Sequence, residues 1–151
     1  MKFWLLIISL FFTNCQENIN QMKITYYKDG KTTNIDISKI DSKSLFPKIK
    51  KIAESFSEVL RIYTDEERIN LLKSEDEVIE IYFTEKQKIN NNSEGEVTFN
   101  KLLIPVTGDF SVTEEEKDGV IFIGLDEYDA SPYLLPDGRK LILSVKDIIV
   151  K

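Results

Sequence analysis

The residues that could do chemistry in this chain are few, and their types restrict what that chemistry could be. The 151-residue sequence has no histidine and a single cysteine, Cys15. The absence of histidine excludes serine-histidine and cysteine-histidine nucleophile pairs and histidine-ligated zinc or copper. It also removes the commonest general base. The sequence also lacks a glycine-rich phosphate loop, a nucleophile elbow and metal-spaced cysteines. We therefore expect a protein that is not an enzyme and that needs no cofactor.

Three acidic residues lie close together within residues 125–138. Asp126, Glu127 and Asp129 supply side-chain oxygens, which are the ligands that calcium prefers. Their spacing lacks the glycine and the distant bidentate glutamate of an EF-hand loop. We expect an acidic, solvated turn without a metal ion, and these three residues are the candidate ligands if a metal binds.

The same segment carries apolar and aromatic residues that favour protein binding: Tyr128, Pro132, Tyr133, Leu134 and Leu135. Tyrosine offers a large contact area and loses little rotamer freedom, and aromatic anchors dominate binding hot spots. Connections longer than about 12 residues are uncommon unless they are functional or pack on themselves. These five residues are the predicted partner-binding patch. The alternative is that they fold back and cover the sheet.

The start of the chain has the pattern of a secretory signal peptide. Lys2 is followed by an apolar run over residues 3–12 and then by Thr13 and Asn14. A basic start, a short apolar segment and small or polar residues before a cleavage point are typical of such peptides. The run is too short for a membrane span, which takes about 20 apolar residues. We expect residues 1–14 to be a signal peptide and the protein to be exported.

Cys15 follows that segment directly. The four residues Phe12-Thr13-Asn14-Cys15 resemble the lipobox of bacterial lipoproteins, in which the cysteine is acylated and becomes the first residue of the mature protein. That family prefers leucine at the position of Phe12 and glycine, alanine or serine at that of Asn14, so the match is a relaxed one. The resemblance covers the leader alone and implies a lipid anchor at Cys15, with fatty acids such as palmitate, in the cell membrane or the outer membrane. A conventional signal peptide and an uncleaved short anchor are the alternatives.

Composition predicts one acidic domain behind this leader. Residues 15–21 would be the lipidated cysteine and a polar tether, which leaves residues 22–151 for a single domain. With 42% hydrophobic and 30% charged residues the chain is ordinary for a folded protein. The formal net charge of -6 argues against nucleic acid as a partner. The expected partners are the membrane, through the lipid anchor, and a protein.

Residue periodicity predicts an α+β domain with an antiparallel sheet of about five strands. Apolar residues at three- and four-residue steps indicate one main amphipathic helix over about residues 45–60. The pattern from Thr64 to Glu67 is a capping box that starts a short second helix over about residues 65–73, with Thr64 as its cap.

The strand pattern begins with aromatic and β-branched residues on both sides of Asp29-Gly30, which predict a β-hairpin. Further strands are expected at residues 78–83, 97–106 and 119–124, with an exposed loop at residues 86–95. Residues 139–145 favour a last strand, and one helix over residues 139–150 is the alternative.

These features together predict a membrane-anchored envelope lipoprotein whose role is to bind a protein partner without catalysis. An accessory, inhibitor or immunity-like module belongs to this class. The alternative is a lipoprotein that binds a small ligand or calcium.

Overall fold

The computed structural model describes residues 22–111 and 115–151 of the chain. The predicted signal peptide, Cys15 and the tether therefore lie outside the described residues. Within the described part, no helix is both long enough and apolar enough to span a membrane.

The domain is organised around one antiparallel sheet, which confirms the predicted α+β class. Its strands are β1 (Met22–Lys28), β2 (Lys31–Ile35), β3 (Val78–Asn91), β4 (Gly95–Pro105), β5 (Gly119–Leu125), β6 (Glu127–Tyr128) and β7 (Tyr133–Leu135). Six of them pair in the order β2-β1-β3-β4-β5-β6, and the short β7 also pairs with β5. The main path thus has six strands where the sequence predicts about five.

The predicted hairpin at Asp29-Gly30 is confirmed. Lys28 at the end of β1 pairs with Lys31 at the start of β2. Asp29 has φ 51° and Gly30 has φ 69°. Two positive φ angles are what a type I′ turn requires, and aspartate and glycine tolerate them best.

Three α-helices cover the two faces of the sheet: α1 (Ser42–Ser55), α2 (Glu66–Glu75) and α3 (Arg139–Ile149). Side chains of β3 alternate between the faces, because successive residues of a strand point to opposite sides. Ile79 and Ile81 pack into the main core with α1 and α3. Val78 packs with Ile69 and Leu72 of α2 in a second, smaller core on the opposite face.

The main helix ends earlier than the sequence predicts. α1 begins at Ser42 and ends at Ser55 rather than near residue 60. The buried side chain of Asn91 donates hydrogen bonds to the carbonyl oxygens of Ala53 (3.2 Å) and Phe56 (2.9 Å). Because these bonds satisfy carbonyls that a helix end leaves free, the helix can stop there.

After α1 the chain runs alongside β7 instead of continuing as helix. The amide of Leu134 donates to the carbonyl of Glu58 (3.0 Å), and the amide of Leu60 donates to the carbonyl of Pro132 (2.8 Å). Residues 57–64 therefore cover the outer edge of β7, and an edge covered in this way cannot pair with another chain.

Residues 125–138 are not one long connection, as the sequence predicts, but contain the short strands β6 and β7. The chain turns at Asp126, which has φ 60°, and returns antiparallel to β5 as β6 and β7. Gly124 permits this close return, because a Cβ atom there would overlap the backbone of Glu127. The segment is an interrupted edge strand.

Two further predictions are corrected near the ends of strands. The expected strand at residues 139–145 is wrong, and its helical alternative is right: α3 buries Ile142, Val145 and Ile149 at helical spacing. The expected loop at residues 86–95 is wrong for its first part, because β3 continues to Asn91 and pairs there with Gly95.

Candidate functional site

A cleft lies on the sheet face that α2 covers, between the N-terminal half of α2 and the turn from β5 to β6. We call it the α2 cleft. Its volume is about 380 Å³, which is within the range of small-molecule sites. Its lining residues come from α2, the segment before it, the sheet and the β5–β6 turn: Tyr63, Thr64, Asp65, Glu66, Ile69, Asn70, Lys73, Glu80, Lys101, Asp126, Glu127, Tyr128 and Ala130.

Glu80 of β3 is the centre of the cleft floor. Its carboxylate accepts hydrogen bonds from the Lys73 ammonium (2.7 Å), the Tyr128 hydroxyl (2.7 Å) and the Tyr27 hydroxyl (2.7 Å). Lys73 and Tyr128 donate to one oxygen and Tyr27 donates to the other. Both oxygens of this mostly buried carboxylate are therefore satisfied, and the network fixes α2 and β6 to the sheet.

The floor groups keep fixed charge states around neutral pH. Burial alone would raise the pKa of Glu80, but the hydrogen bonds from Lys73, Tyr128 and Tyr27 outweigh burial and hold that pKa below its usual value. Burial and the negative charge of Glu80 raise the pKa of Tyr128. Burial and the hydrogen bond to Glu80 raise the pKa of Tyr27. Glu80 is thus an ionised acceptor, and both tyrosines are neutral donors.

Two lysines lie over the ring of Tyr128. The Nζ atom of Lys73 is 5.7 Å from the ring centroid, and that of Lys101 is 5.6 Å away. A cation at this distance is attracted to the face of the ring. The ring of Tyr128 is thereby held in place between β4 and α2.

The N-terminus of α2 forms one wall of the cleft, and its cap differs from the prediction. Asp65 is the cap, because its side chain accepts a hydrogen bond from the Arg68 amide (2.9 Å). Thr64 is only 4% exposed, and its amide donates to the carbonyl of Ala130 (2.7 Å). Among the described residues, its Oγ1 is the one buried side-chain oxygen or nitrogen without a hydrogen-bond partner. The prediction that Thr64 caps the helix is wrong, and its hydroxyl stays unpaired beside the cleft.

The opposite wall is the β5–β6 turn. The amide of Asp126 donates to Oδ1 of Asn100 (3.0 Å), and Nδ2 of Asn100 donates to Oδ1 of Asp126 (3.2 Å). This paired bond fixes the turn to β4. Glu127 follows directly and is exposed on the cleft wall.

The three candidate metal ligands do not converge on one point. Asp126 bonds to Asn100, and the carboxylate of Asp129 accepts from the Tyr133 hydroxyl (2.9 Å). Asp126 and Glu127 line the α2 cleft, whereas Asp129 does not. Within residues 22–111 and 115–151, no group of three or more acidic, histidine or cysteine side chains could hold a metal ion.

The five residues of the predicted partner-binding patch are separated by the fold. Tyr128 lines the α2 cleft. Pro132 and Leu135 are buried, and Leu134 is half-buried. The ring of Tyr133 packs on Phe56 with the two centroids 4.8 Å apart. Only Tyr128 among the five therefore belongs to the cleft.

Several cleft residues were not identified from the sequence. They are Tyr63, Glu66, Lys73, Glu80 and Lys101. One signal could have revealed Glu80: it is a single acid inside the apolar run of residues 78–83, and a buried acid needs partners. The partners themselves come from distant parts of the chain, so sequence spacing could not identify them.

Comparison with known proteins gives no further assignment. No family model matches the chain, and neither do curated proteins or solved structures. Function must therefore be inferred from the chemistry of the cleft.

Proposed function

We propose that this protein is a non-catalytic binding module of a bacterial envelope, anchored by lipid at Cys15, and that it holds a protein partner in the α2 cleft. The observation that carries the proposal is the cleft itself, which combines a fixed floor with exposed groups on its walls. Glu80 is fully hydrogen-bonded below, whereas Tyr63, Glu66 and Glu127 are exposed around the opening. A rigid floor with free walls suits recognition, because little ordering is needed on binding.

The charge states of the floor support a role without catalysis. A general acid or base works best with a pKa near the working pH. The pKa of Glu80 is lowered and those of Tyr27 and Tyr128 are raised, so all three move away from neutrality. The absence of histidine from the sequence points the same way.

The anchor supports a role at a surface. Each buried methylene of an acyl chain contributes about 0.8 kcal/mol, and two or more chains hold a protein stably on a membrane. A polar tether at residues 16–21 would let the domain face a partner bound to, or approaching, the same membrane. Mass spectrometry of the mature protein tests this part: we expect acylated Cys15 at the N-terminus, and an unmodified Cys15 would refute the anchor.

Affinity capture from detergent extracts of the cell of origin tests the cleft. Asn70 lines the cleft on an exposed turn of α2, so Asn70→Trp should obstruct it without disturbing the core. Leu143→Trp is the matched control, because Leu143 is an exposed position of α3 behind the opposite sheet face. We expect Asn70→Trp to lose a partner that the wild type and Leu143→Trp retain. Equal capture by all three proteins would refute the cleft as the binding site.

A small ligand is the second candidate occupant, and the cleft volume of about 380 Å³ favours it. If the occupant is a small ligand, affinity capture would recover no protein that the wild type binds and Asn70→Trp loses. Native mass spectrometry of protein purified from its source would instead show a small bound mass in the wild type and not in Asn70→Trp. Calcium is a weaker form of this alternative, because Asp126, Glu127 and Asp129 do not converge.

A further inference from the structure

We propose that the outer face of α1 and α3 docks on a membrane surface that carries anionic phospholipid headgroups. The inference rests on the proposed function, because it takes the lipid anchor at Cys15 as given and specifies how the anchored domain lies on the membrane. It assigns the two sides of the sheet to two partners: lipid on the side of α1 and α3, and protein on the side of α2.

The charges of the chain are separated between the two faces of the sheet. α1 carries four lysines and one glutamate, and α3 carries one arginine and two lysines against one aspartate. On the opposite face, α2 and its two caps, Asp65 and Asp76, carry five acids and two basic residues. The formal net charge of -6 therefore comes from the rest of the molecule, and the layer of α1 and α3 is positively charged.

Lysines of this layer point away from the core. Each helix turns a buried stripe toward the sheet, so the residues on its opposite side lie on the outer surface. Lys43, Lys50 and Lys51 hold such positions on α1, and Lys140 does so on α3; all four are exposed. Because α1 and α3 contact each other and pack on the same core, their outer surfaces form one continuous face. We call it the lysine face.

Three of these four ammonium groups are free to bind. Lys50 pairs with Glu54 at 3.8 Å. Lys43, Lys51 and Lys140 have no ion pair with any residue among 22–111 and 115–151. A lysine close to an anionic membrane strengthens binding about fivefold. The free lysines can therefore hold the anchored domain in one orientation.

Apolar groups among the lysines suit the boundary between headgroups and acyl chains. Leu143 of α3 is 36% exposed, and Pro47 of α1 is also exposed; both lie on the lysine face. A lysine beside such groups can bury its methylene stem while its ammonium group stays among the headgroups. The face thus combines the two kinds of contact that a lipid surface offers.

The short tether keeps the domain near the membrane. Six residues separate Cys15 from Met22, and a fully extended chain spans at most about 3.6 Å per residue. Met22 can therefore lie no more than roughly 25 Å from an acylated Cys15. The side chain of Met22 packs in the main core, which α1 and α3 cover. A lipid surface is thus within reach of the lysine face before any other polyanion approaches.

Docking in this orientation leaves the α2 cleft open. The main core and the smaller core of α2 lie on opposite sides of the sheet. With the lysine face on lipid, the acidic surface of α2 points away from the anionic headgroups, which would repel it. The cleft is then accessible to a partner protein.

Fluorescence quenching on vesicles tests the docking with the mature, acylated protein. With Cys15 acylated, Leu143→Cys on the lysine face or Asn70→Cys on α2 supplies the only free thiol, which takes the fluorophore. The vesicles contain phosphatidylcholine alone or mixed with phosphatidylglycerol. Both kinds also contain a lipid with a nitroxide on its headgroup, which quenches a fluorophore at contact range.

We expect strong quenching of the label at position 143 on vesicles with phosphatidylglycerol. The label at position 70 should be quenched at most about half as much, because the sheet and two layers of helices, each helix about 10 Å across, separate the two positions. High salt should remove the difference, since it screens the lysines, but the acyl chains should keep the protein on the vesicles. Equal quenching at both positions, or at position 143 on both kinds of vesicle, would overturn the docking.

Matched double variants test the lysines themselves. Lys43→Gln/Lys51→Gln should lower the ratio of docked to undocked protein roughly twentyfold, measured as a loss of quenching at position 143. Lys31→Gln/Arg61→Gln removes the same charge at exposed positions outside α1 and α3. We expect this control to change the ratio less than about twofold. Equal losses in the two variants would show general charge attraction and refute the lysine face.

Flotation of the same vesicles separates this inference from the proposed function. If the protein floats with neither kind of vesicle, the anchor and the docking are both refuted. If it floats with both kinds but position 143 is not quenched, the anchor stands and the docking on lipid is refuted. That second result is the one expected if the lysine face binds nucleic acid or an acidic protein.

Discussion

Two glutamates three residues apart, Glu77 and Glu80, are held by similar donors on opposite faces of the sheet. Glu77 accepts a hydrogen bond from the Tyr26 hydroxyl and pairs with Lys146 of α3 at 2.7 Å. Glu80 accepts from two tyrosines and pairs with Lys73 of α2, also at 2.7 Å. Each cluster fastens one helix to the sheet.

The two clusters differ in how the carboxylate is used. Tyr26 and Lys146 both bond to Oε1 of Glu77, whereas the donors to Glu80 occupy both of its oxygens. Glu80 also lines a cleft. Because both oxygens of Glu80 are occupied, the floor of the cleft is a structural element like the Glu77 cluster. Under the proposed function, a partner would have to contact the exposed groups on the walls instead.

The largest effect is expected from Glu80→Gln. No orientation of a glutamine amide can accept from all three donors, and Lys73, which is 19% exposed, loses its counter-charge. We expect a loss of about 3 kcal/mol in the free energy of unfolding, measured by urea denaturation. Glu116→Gln, at an exposed site, is the control and should change it by less than about 0.5 kcal/mol. A similar small change for Glu80→Gln would show that the floor network is not structural.

Glu77→Gln should have a smaller effect, about 2 kcal/mol. The remaining carbonyl oxygen of glutamine can still accept from Tyr26, and Lys146 is 27% exposed, so its ammonium can reach water. The same urea titration measures it. A larger loss for Glu77→Gln than for Glu80→Gln would reverse the comparison between the two clusters.

The helix caps offer a finer comparison between the two faces. Asp41 caps α1, and Asp65 caps α2, each by accepting from an amide of the first turn. We expect Asp41→Ala and Asp65→Ala each to cost about 1 kcal/mol of unfolding free energy. Only Asp65→Ala should also weaken partner capture, because α2 forms a cleft wall. If Asp41→Ala and Asp65→Ala capture the partner equally well, the α2 wall of the cleft does not contribute to binding.

The smallest expected effect is that of pH. In both clusters burial alone would raise the glutamate pKa, but the lysine and tyrosine hydrogen bonds outweigh it and lower the pKa. A lowered pKa in the folded state gives stability that is complete above the unfolded value of about 4.3 and is lost as pH falls through the folded pKa. The stability gap between wild type and Glu77→Gln or Glu80→Gln should therefore narrow below about pH 4. A gap that stays constant there would contradict the pKa shifts.

Sequence patterns predict the parts of the fold that depend on neighbouring residues. Asp29-Gly30 specifies its hairpin through local backbone preference. Leu45, Ile49 and Ile52 indicate α1 by their helical spacing, and all three are buried. The α+β class follows from such local signals.

The features that sequence analysis missed depend on contacts between distant residues. Asn91 ends α1 from 35 residues away in sequence. Residues 139–149 fit both a strand and a helix in isolation, and the helix forms because Ile142, Val145 and Ile149 pack into the main core.

The candidate site also has one part that local sequence predicts and one part that depends on contacts between distant residues. Asp126, Glu127 and Tyr128 could be selected because they share one unusual segment. The floor could not be predicted, because Tyr128 and Glu80 are 48 residues apart in the sequence. The sequence pattern predicts the wrong N-cap for α2, because Thr64 and Asp65 are adjacent and either side chain could cap a helix. In the structure it is Asp65 that accepts the hydrogen bond from the Arg68 amide.

Site-specific photocrosslinking in intact cells tests most directly whether the α2 cleft holds a protein. A benzophenone amino acid would replace either Tyr63, at the cleft opening, or Leu143, on α3 behind the opposite sheet face; both residues are exposed. We predict a light-dependent adduct of higher mass from the first position and none from the second. An adduct from position 143 alone, or none from position 63, would contradict the cleft as the partner's binding site.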